Sequence, residues 1–453
     1  MTTTMIVAIV LFAVTYVLLF ALPKFKPYIA LASAVVFSVW LAIDKAVDFT
    51  FSTFIGAIDF NVLMMIAGTM GIVSLFIESK MPMRIADVML SKFKNVRAAV
   101  VAMSVFAGVV SAFMDNVATV LIVAPIALAV CKKQNISPIG PIICIAVSSN
   151  LQGAATLVGD TTSILLAGQM NMTFADFFWY QGKPGIFWAV ELGAALTAVI
   201  IFFLFRKEKQ PLTLSEKTEV KDYVPSVLLL LVVVFLIAAS FIPRPTDPVA
   251  LGVYDHRNGI ICMGLLIVGI VYNLCKTKTF AGTKQVFKEM DYQTLLLLAS
   301  LFVVIGCIDH VGVIDKLAEG LAKLGGSNVF LMYTILVFAS VLISAFVDNI
   351  PYVMAMLPVV SGVASSMGVD PTVLYFGLLV GATLGGNITP IGASANITGV
   401  GMLRKEGYEV KAKDFMKISV PFTLTAVLSG YAFIWIFYGI LSLHIVFKHE
   451  HTN

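Results

Sequence analysis

The pattern Ser-Ala-Phe-x-Asp-Asn occurs twice, at residues 111–116 and 344–349, each time inside an otherwise apolar stretch. A carboxylate in a membrane-embedded segment costs about 3 kcal/mol on insertion scales. A chain that places one twice, at an offset of 233 residues, has a use for it. The offset persists downstream: Pro125 pairs with Pro358, Gly153 with Gly386, Thr156 with Thr389 and Gly159 with Gly392. Each Asp-Asn pair is followed by a polar, glycine-bearing run. The first holds Asn150, Gly153, Thr156, Gly159, Asp160, Thr161 and Thr162. The second holds Thr383, Gly386, Asn387, Thr389, Gly392, Ser394 and Asn396. Glycine lets the backbone leave a helix, and Pro390 removes a donor. An unwound stretch exposes carbonyls, which suit a small hard cation, while half-helix N-termini suit an anion.

With Asp115-Asn116 and Asp348-Asn349, these two runs form the candidate ion- and substrate-binding residues. The spans carry Asp115, Asp160, Asp348 and Glu191 and essentially no Lys or Arg. Intramembrane acids without basic partners need a proton or a metal cation. Candidate Na⁺ ligands are Asp115, Asn116, Asp160, Asp348 and Asn349, and Asp→Asn at 115 or 348 is expected to abolish coupling. The sites are not equivalent: Ala393 stands opposite Asp160, and Asn387 opposite Ala154. The first site should favour the cation and the second contribute more to substrate binding. Glu191 has Leu424 at the same offset and reads as structural. The competing bland readings are close helix packing for the glycines and a hydrogen-bond anchor for an isolated Asp.

Positioning these residues requires a membrane. Hydrophobic residues make up 59% of the 453 residues and charged residues 12%, against roughly 25% charged in soluble domains; mean hydropathy is +0.96. The pattern predicts an all-α polytopic protein of ten crossings, near 5–22, 27–43, 58–78, 138–170, 185–205, 223–242, 259–275, 292–308, 372–400 and 418–441. Spans 138–170 and 372–400 are overlong and polar in the middle, as broken helices are. Segments 97–131 and 329–360 read as re-entrant helical hairpins with Asp-Asn at the tip, against one kinked helix each. Stretches 80–96 and 312–324 look amphipathic. With the N-terminus outside, the basic loops 79–97, 132–137, 206–222, 275–289 and 401–417 fall inside, and the outside loops 44–57, 171–184, 243–258 and 361–371 carry few basic residues. Five crossings per half make the halves inverted: a first repeat over 1–205, a cytoplasmic linker over 206–222 and a second repeat over 223–453. Inverted repeats with broken helices are a transporter architecture. The first span lacks a basic leader and reads as a retained helix. The net charge of +4 reflects loops, not nucleic-acid binding. The five cysteines lack metal-ligand spacing, and His310, His444, His449 and His451 lie near span ends.

These motifs make the chain similar to the ion transporter superfamily, which contains arsenite permeases, sodium/proton antiporters of the NhaD type, citrate-transporter-like permeases and the P proteins. The resemblance covers nearly the whole chain. Residues 344–351 and 385–396 look most like the P-protein branch, and 159–162 like the antiporter branch. Divalent anion/sodium symporters are more distantly similar and carry Ser-Asn-Thr where this chain has Asp115-Asn116-Val117 and Asp348-Asn349-Ile350. That departure speaks against a dicarboxylate and for a cation. The resemblance implies a homodimer and an elevator motion.

The leading expectation is a secondary transporter, not an enzyme, driven by Na⁺ or H⁺ with no other cofactor. It would move a small anion or oxyanion across a prokaryotic inner or plasma membrane. The alternative is a sodium/proton antiporter on the same fold. An ion channel would need a continuous polar pore, and none is evident. No phosphate-binding loop is present to supply ATP drive.

Overall fold

The computed structural model describes residues 3–44, 50–208, 210–211, 218–278, 284, 286–288 and 290–440. Parts of the loops 44–57, 206–222 (with Lys209 and Lys217) and 275–289, and the tail histidines 444, 449 and 451, lie outside these residues. In the first half the helices are α1 Thr3–Ala21, α2 Lys26–Ile43, α3 Phe51–Gly56, α4 Phe60–Glu78, α5 Met81–Leu90, α6 Val96–Ser111, α7 Asn116–Lys133, α8 Ile139–Gly153, α9 Thr161–Met170 and α10 Ile186–Leu204. In the second they are α11 Val224–Ser240, α12 Pro248–Asp255, α13 Arg257–Thr277, α14 Tyr292–His310, α15 Val313–Gly325, α16 Val329–Ser344, α17 Asn349–Met367, α18 Thr372–Gly385, α19 Ser394–Lys405 and α20 Ala412–Ile434. Among the described residues nine helices are long and apolar enough to cross a membrane, or ten if a bent pair counts as one span.

The offset seen in the sequence is the offset of the fold. Shifting α6 by 233 residues gives the bounds of α16, and α2, α4, α5, α7, α8 and α9 land within a few residues of α13, α14, α15, α17, α18 and α19. The segments 97–131 and 329–360 are each two helices meeting at a turn, the re-entrant hairpins α6–α7 and α16–α17, and not single kinked helices. The overlong spans are broken, α8–α9 and α18–α19. The amphipathic stretches are the short helices α5 and α15, and α15 meets α16 at a 115° bend.

Two contacts join residues to their own counterparts. Asn150 Nδ2 donates to the carbonyl of Thr383 at 2.7 Å. A Cβ on Gly193 would lie 3.5 Å from Cα of Ala426. Both pairs are 233 apart. A residue that touches its own equivalent lies on the axis relating the two, so the pseudo-two-fold runs past the breaks and between α10 and α20. The halves also interlock: α2 packs on α14 while its counterpart α13 packs on α4, and α9 packs on α17 while α19 packs on α7.

Within each half the hairpin arm packs closely on the broken helix. In the first half Gly108 on α6 faces Gln152 on α8, where a Cβ would come within 2.6 Å of the Gln152 side chain. In the second half the small residue is on the other helix: Gly385 faces Val341, 2.6 Å from its Cα. Small residues let helices approach, which is what holds them where the surrounding lipid offers no hydrophobic drive.

The loop 171–184 departs from the all-helical pattern. Residues Trp179–Tyr180 pair antiparallel with Lys183–Pro184. Gln181 and Gly182 both have positive φ, 50° and 74°, the conformation a two-residue hairpin turn needs to match strand twist.

Candidate functional site

Each Asp of the repeated motif is first of all a helix N-cap. Asp115 Oδ1 accepts from the amides of Val117 and Ala118 at 2.9 and 3.1 Å. Asp348 Oδ1 accepts from Ile350 N at 3.1 Å. A short acceptor side chain here satisfies amides that the first turn leaves unpaired. The hairpin tip therefore forms because the chain places Asp just before the apolar run of α7 or α17.

A Thr and two Gly clamp the break against the tip. Thr156 Oγ1 donates to the Ala112 carbonyl, and Thr389 Oγ1 donates to that of Ala345 at 2.5 Å. A Cβ on Gly159 would lie 2.5 Å from Gly153 O and 2.8 Å from Ser111 O. On Gly392 it would lie 2.6 Å from Gly386 O and 2.7 Å from Ala345 O. No side chain fits between three carbonyls, so Gly159 and Gly392 set how closely backbone passes backbone, and Gly153 and Gly386 each supply one of those carbonyls. In the second break Asn396 Nδ2 ties Gly386 O and Thr389 O, each at 3.1 Å.

What this framework presents is a cavity of about 410 Å³. Residues 115–118 at the start of α7, Thr161 on α9, Asn349 and Ile350 on α17, and Ser394 on α19 line it, so with α5 and α14 six helices border it at their N-terminal turns. Met70, Ser74 and Ile77 of α4, Pro82 and Met83 of α5, and Asp291 and Thr294 at the start of α14 form its other walls. Beside it a cleft of about 20 Å³ is lined by Asp115, Asp160, Thr69, Thr161, Val158, Gly159 and apolar side chains of α4 and α9. That is room for roughly one water-sized body. Neither space is lined by a Lys or Arg. Asp160 is buried, and Thr162 Oγ1 donates to its Oδ2 at 2.7 Å. Beyond Ile164, which borders the cleft, a second cavity of about 310 Å³ lies between Asp59, Asn61 and residues 254–258.

The sequence-derived residues thus divide. Asp115, Asn116, Asp160, Thr161, Asn349 and Ser394 meet at the cavity. Asn150 links Asn116 (2.9 Å) to Thr383 O, and Thr162 meets Thr383 Oγ1 at 3.0 Å. Asn387 donates across the halves to Val147 O at 3.0 Å. Its Oδ1 and that of Asn396 are buried acceptors with no hydrogen-bond partner among the described residues. Glu191 lies half-buried on α10 and lines neither space.

The expectation of acids without basic partners needs correcting at Asp348. Lys26 Nζ lies 2.8 Å from Asp348 Oδ2, both side chains mostly buried. The lysine sits at the end of an apolar span, 322 residues away in sequence, so no local pattern announces the pair. Thr69 and Asp291 were also missed. Asp291 had a readable signal, an acid three residues before Thr294, whose amide (3.0 Å) and hydroxyl (2.6 Å) it caps.

Paired hairpins and broken helices bordering a cavity in a multi-pass helical membrane protein are a transporter architecture. The chain belongs to the citrate transporter family, CitMHS, whose profile matches residues 9–381. It is 28% identical over 441 residues to the uncharacterized transporter Rv2684 of Mycobacterium tuberculosis, covering 96% of this chain and 99% of that one. It is 29% identical over 447 residues to a 46 kDa membrane protein of Mycobacterium leprae, covering 96% and 100%. The human P protein is 24% identical over 466 residues, 83% of this chain and 53% of the relative. In fold it is similar to the YdaH transporter of Alcanivorax borkumensis (TM-score 0.58, 16% identity, 91% and 97% covered). The MtrF antimetabolite efflux pump of Neisseria gonorrhoeae is comparable (0.57, 15%, 86% and 83%).

Proposed function

We propose that this chain is a secondary active transporter that couples Na⁺ or H⁺ movement to that of a small anion or oxyanion, by an elevator motion in a homodimer of the inner or plasma membrane. The observation that carries the reading is the meeting of Asp115 and Asp160 on an ion-sized cleft without a basic residue, beside a cavity bordered by helix N-termini. Two carboxylates removed from bulk water attract a cation or retain a proton. Helix N-termini hold negative charge without a buried Arg. The cation and anion sites adjoin, so each occupant stabilises the other electrostatically, and that is a basis for coupling. With the N-terminus outside, the larger cavity faces the cytoplasm. The family description makes citrate the first anion to try, followed by small oxyanions.

Purified protein in proteoliposomes, with Na⁺ and pH gradients imposed separately, tests this. Gradient-driven uptake of citrate or an oxyanion, lost in Asp160→Asn, is expected. Anion flux indifferent to both gradients would overturn it. Na⁺/H⁺ exchange that needs no anion would favour the antiporter reading, in which the cleft serves the two cations in turn.

A further inference from the structure

We propose that the ammonium of Lys26 takes the place of a coupling cation at the second hairpin tip, so that cation binding is confined to the first half of the chain. The inference rests on the reading of Asp115 and Asp160 as the cation site.

The two tips share a backbone and differ in charge. At the second, Asp348 Oδ1 takes the Ile350 amide and Oδ2 takes Lys26 Nζ at 2.8 Å. Both oxygens have donors, and although Asn349 and Ile350 line the cavity, Asp348 does not. At the first, Asp115 Oδ1 takes two amides, Oδ2 makes no hydrogen bond among the described residues, and the residue lines both cavity and cleft. The first tip adds a carboxylate in Asp160, where the second has Ala393. Two carboxyl groups stand on one side, a carboxyl group and a lysine on the other.

Lys26 is poorly placed for its own helix. It is the first residue of α2, where a cation opposes the helix dipole. Its position is explained by its partner, and Tyr16 of α1 secures the same tip through a 2.9 Å bond to Pro351 O. Among the described residues the first tip has no such ion pair. The residue at the offset from Lys26 is Gly259, and a Cβ there would lie 2.7 Å from Met64 Cβ and 2.9 Å from Asn61 O. Packing excludes any side chain at that point, so no ammonium can reach the first tip by the symmetric route. A bound Na⁺ and a lysine ammonium meet the same need, one positive charge beside a desolvated carboxylate. The lysine is covalently tethered and does not exchange.

Equilibrium binding of radioactive Na⁺ and the infrared band of protonated carboxyl groups, both on full-length detergent-purified protein, test this. Lys26→Met should gain one equivalent at Asp348: one more Na⁺ per chain, or in Na⁺-free buffer a new carboxyl band. The gain should vanish in Lys26→Met/Asp348→Asn and be absent in Lys26→Arg. Asp348→Asn alone should leave the Na⁺ count unchanged; loss of one equivalent there overturns the proposal even if Lys26→Met fails to fold. A folded Lys26→Met with neither change also overturns it. Asp160→Asn reports separately on the first-half site: an unaltered Na⁺ count and carboxyl band in that variant would refute the cation reading while leaving the Lys26 result interpretable.

Discussion

The two hairpin tips begin from the same residues and end as different chemical environments. Both have an Asp N-cap, a Thr brace to the hairpin end and a Gly pair where the break crosses it. Around the first, a second carboxylate faces a cleft; around the second, a lysine closes the carboxylate off. Duplication supplies the scaffold twice. The site chemistry is decided by the residues that each scaffold meets, many of them from other helices.

The largest break in the comparison should come from the carboxylates. Asp160→Asn or Asp115→Asn is expected to weaken the coupling cation by at least about 10–100-fold, the scale of losing a group that supports a bound ion. Asp348→Asn should change it by only a few-fold, an outcome read from the Na⁺ or pH dependence of uptake. Equal losses at 115 and 348 would mean that the tips are equivalent despite Lys26.

A smaller effect, equal in the two halves, should come from the clamps. Gly159→Ala and Gly392→Ala each drive a methyl into three carbonyls, and overpacking of this kind destabilises by about 1–3 kcal/mol. Thermal unfolding in detergent should show both, against little change for Gly401→Ala, where a Cβ meets nothing within 4 Å. The mildest pair is Thr156→Val and Thr389→Val. Each removes a hydroxyl that donates to a hairpin carbonyl and accepts from the amide of Val158 or Ile391, a loss of about 1 kcal/mol net. A large difference between the two Thr variants would show that one of them acts on the ligand and not only on the fold.

Much of this architecture was legible because membrane burial leaves a coarse and lasting trace. Apolar runs, basic loops and a constant offset mark helices, their order and the duplicated breaks. The Asp residues read as ion ligands and not as helix caps, although an acid directly before an apolar run is a helix start. The readings that changed depend on contacts remote in sequence. Thr156 and Thr389, read as ligands, also donate their hydroxyls to Ala112 O and Ala345 O. Asn150 and Thr383 meet because the axis passes between them. Lys26 lies at the end of an apolar run, where a lysine ordinarily snorkels to the interface; only the packed structure brings Asp348 to it.

The contacts Gly108–Gln152 and Val341–Gly385 make the halves matched parts that cannot be exchanged. Knob and hole have changed sides between them. A chimaera joining the second hairpin to the first broken helix would press Val341 into Gln152, and the reverse graft would set Gly108 against Gly385 and leave a void. Anyone rebuilding this transporter from one repeat must therefore transfer hairpin and broken helix together, as a single module, or recut the fit between them.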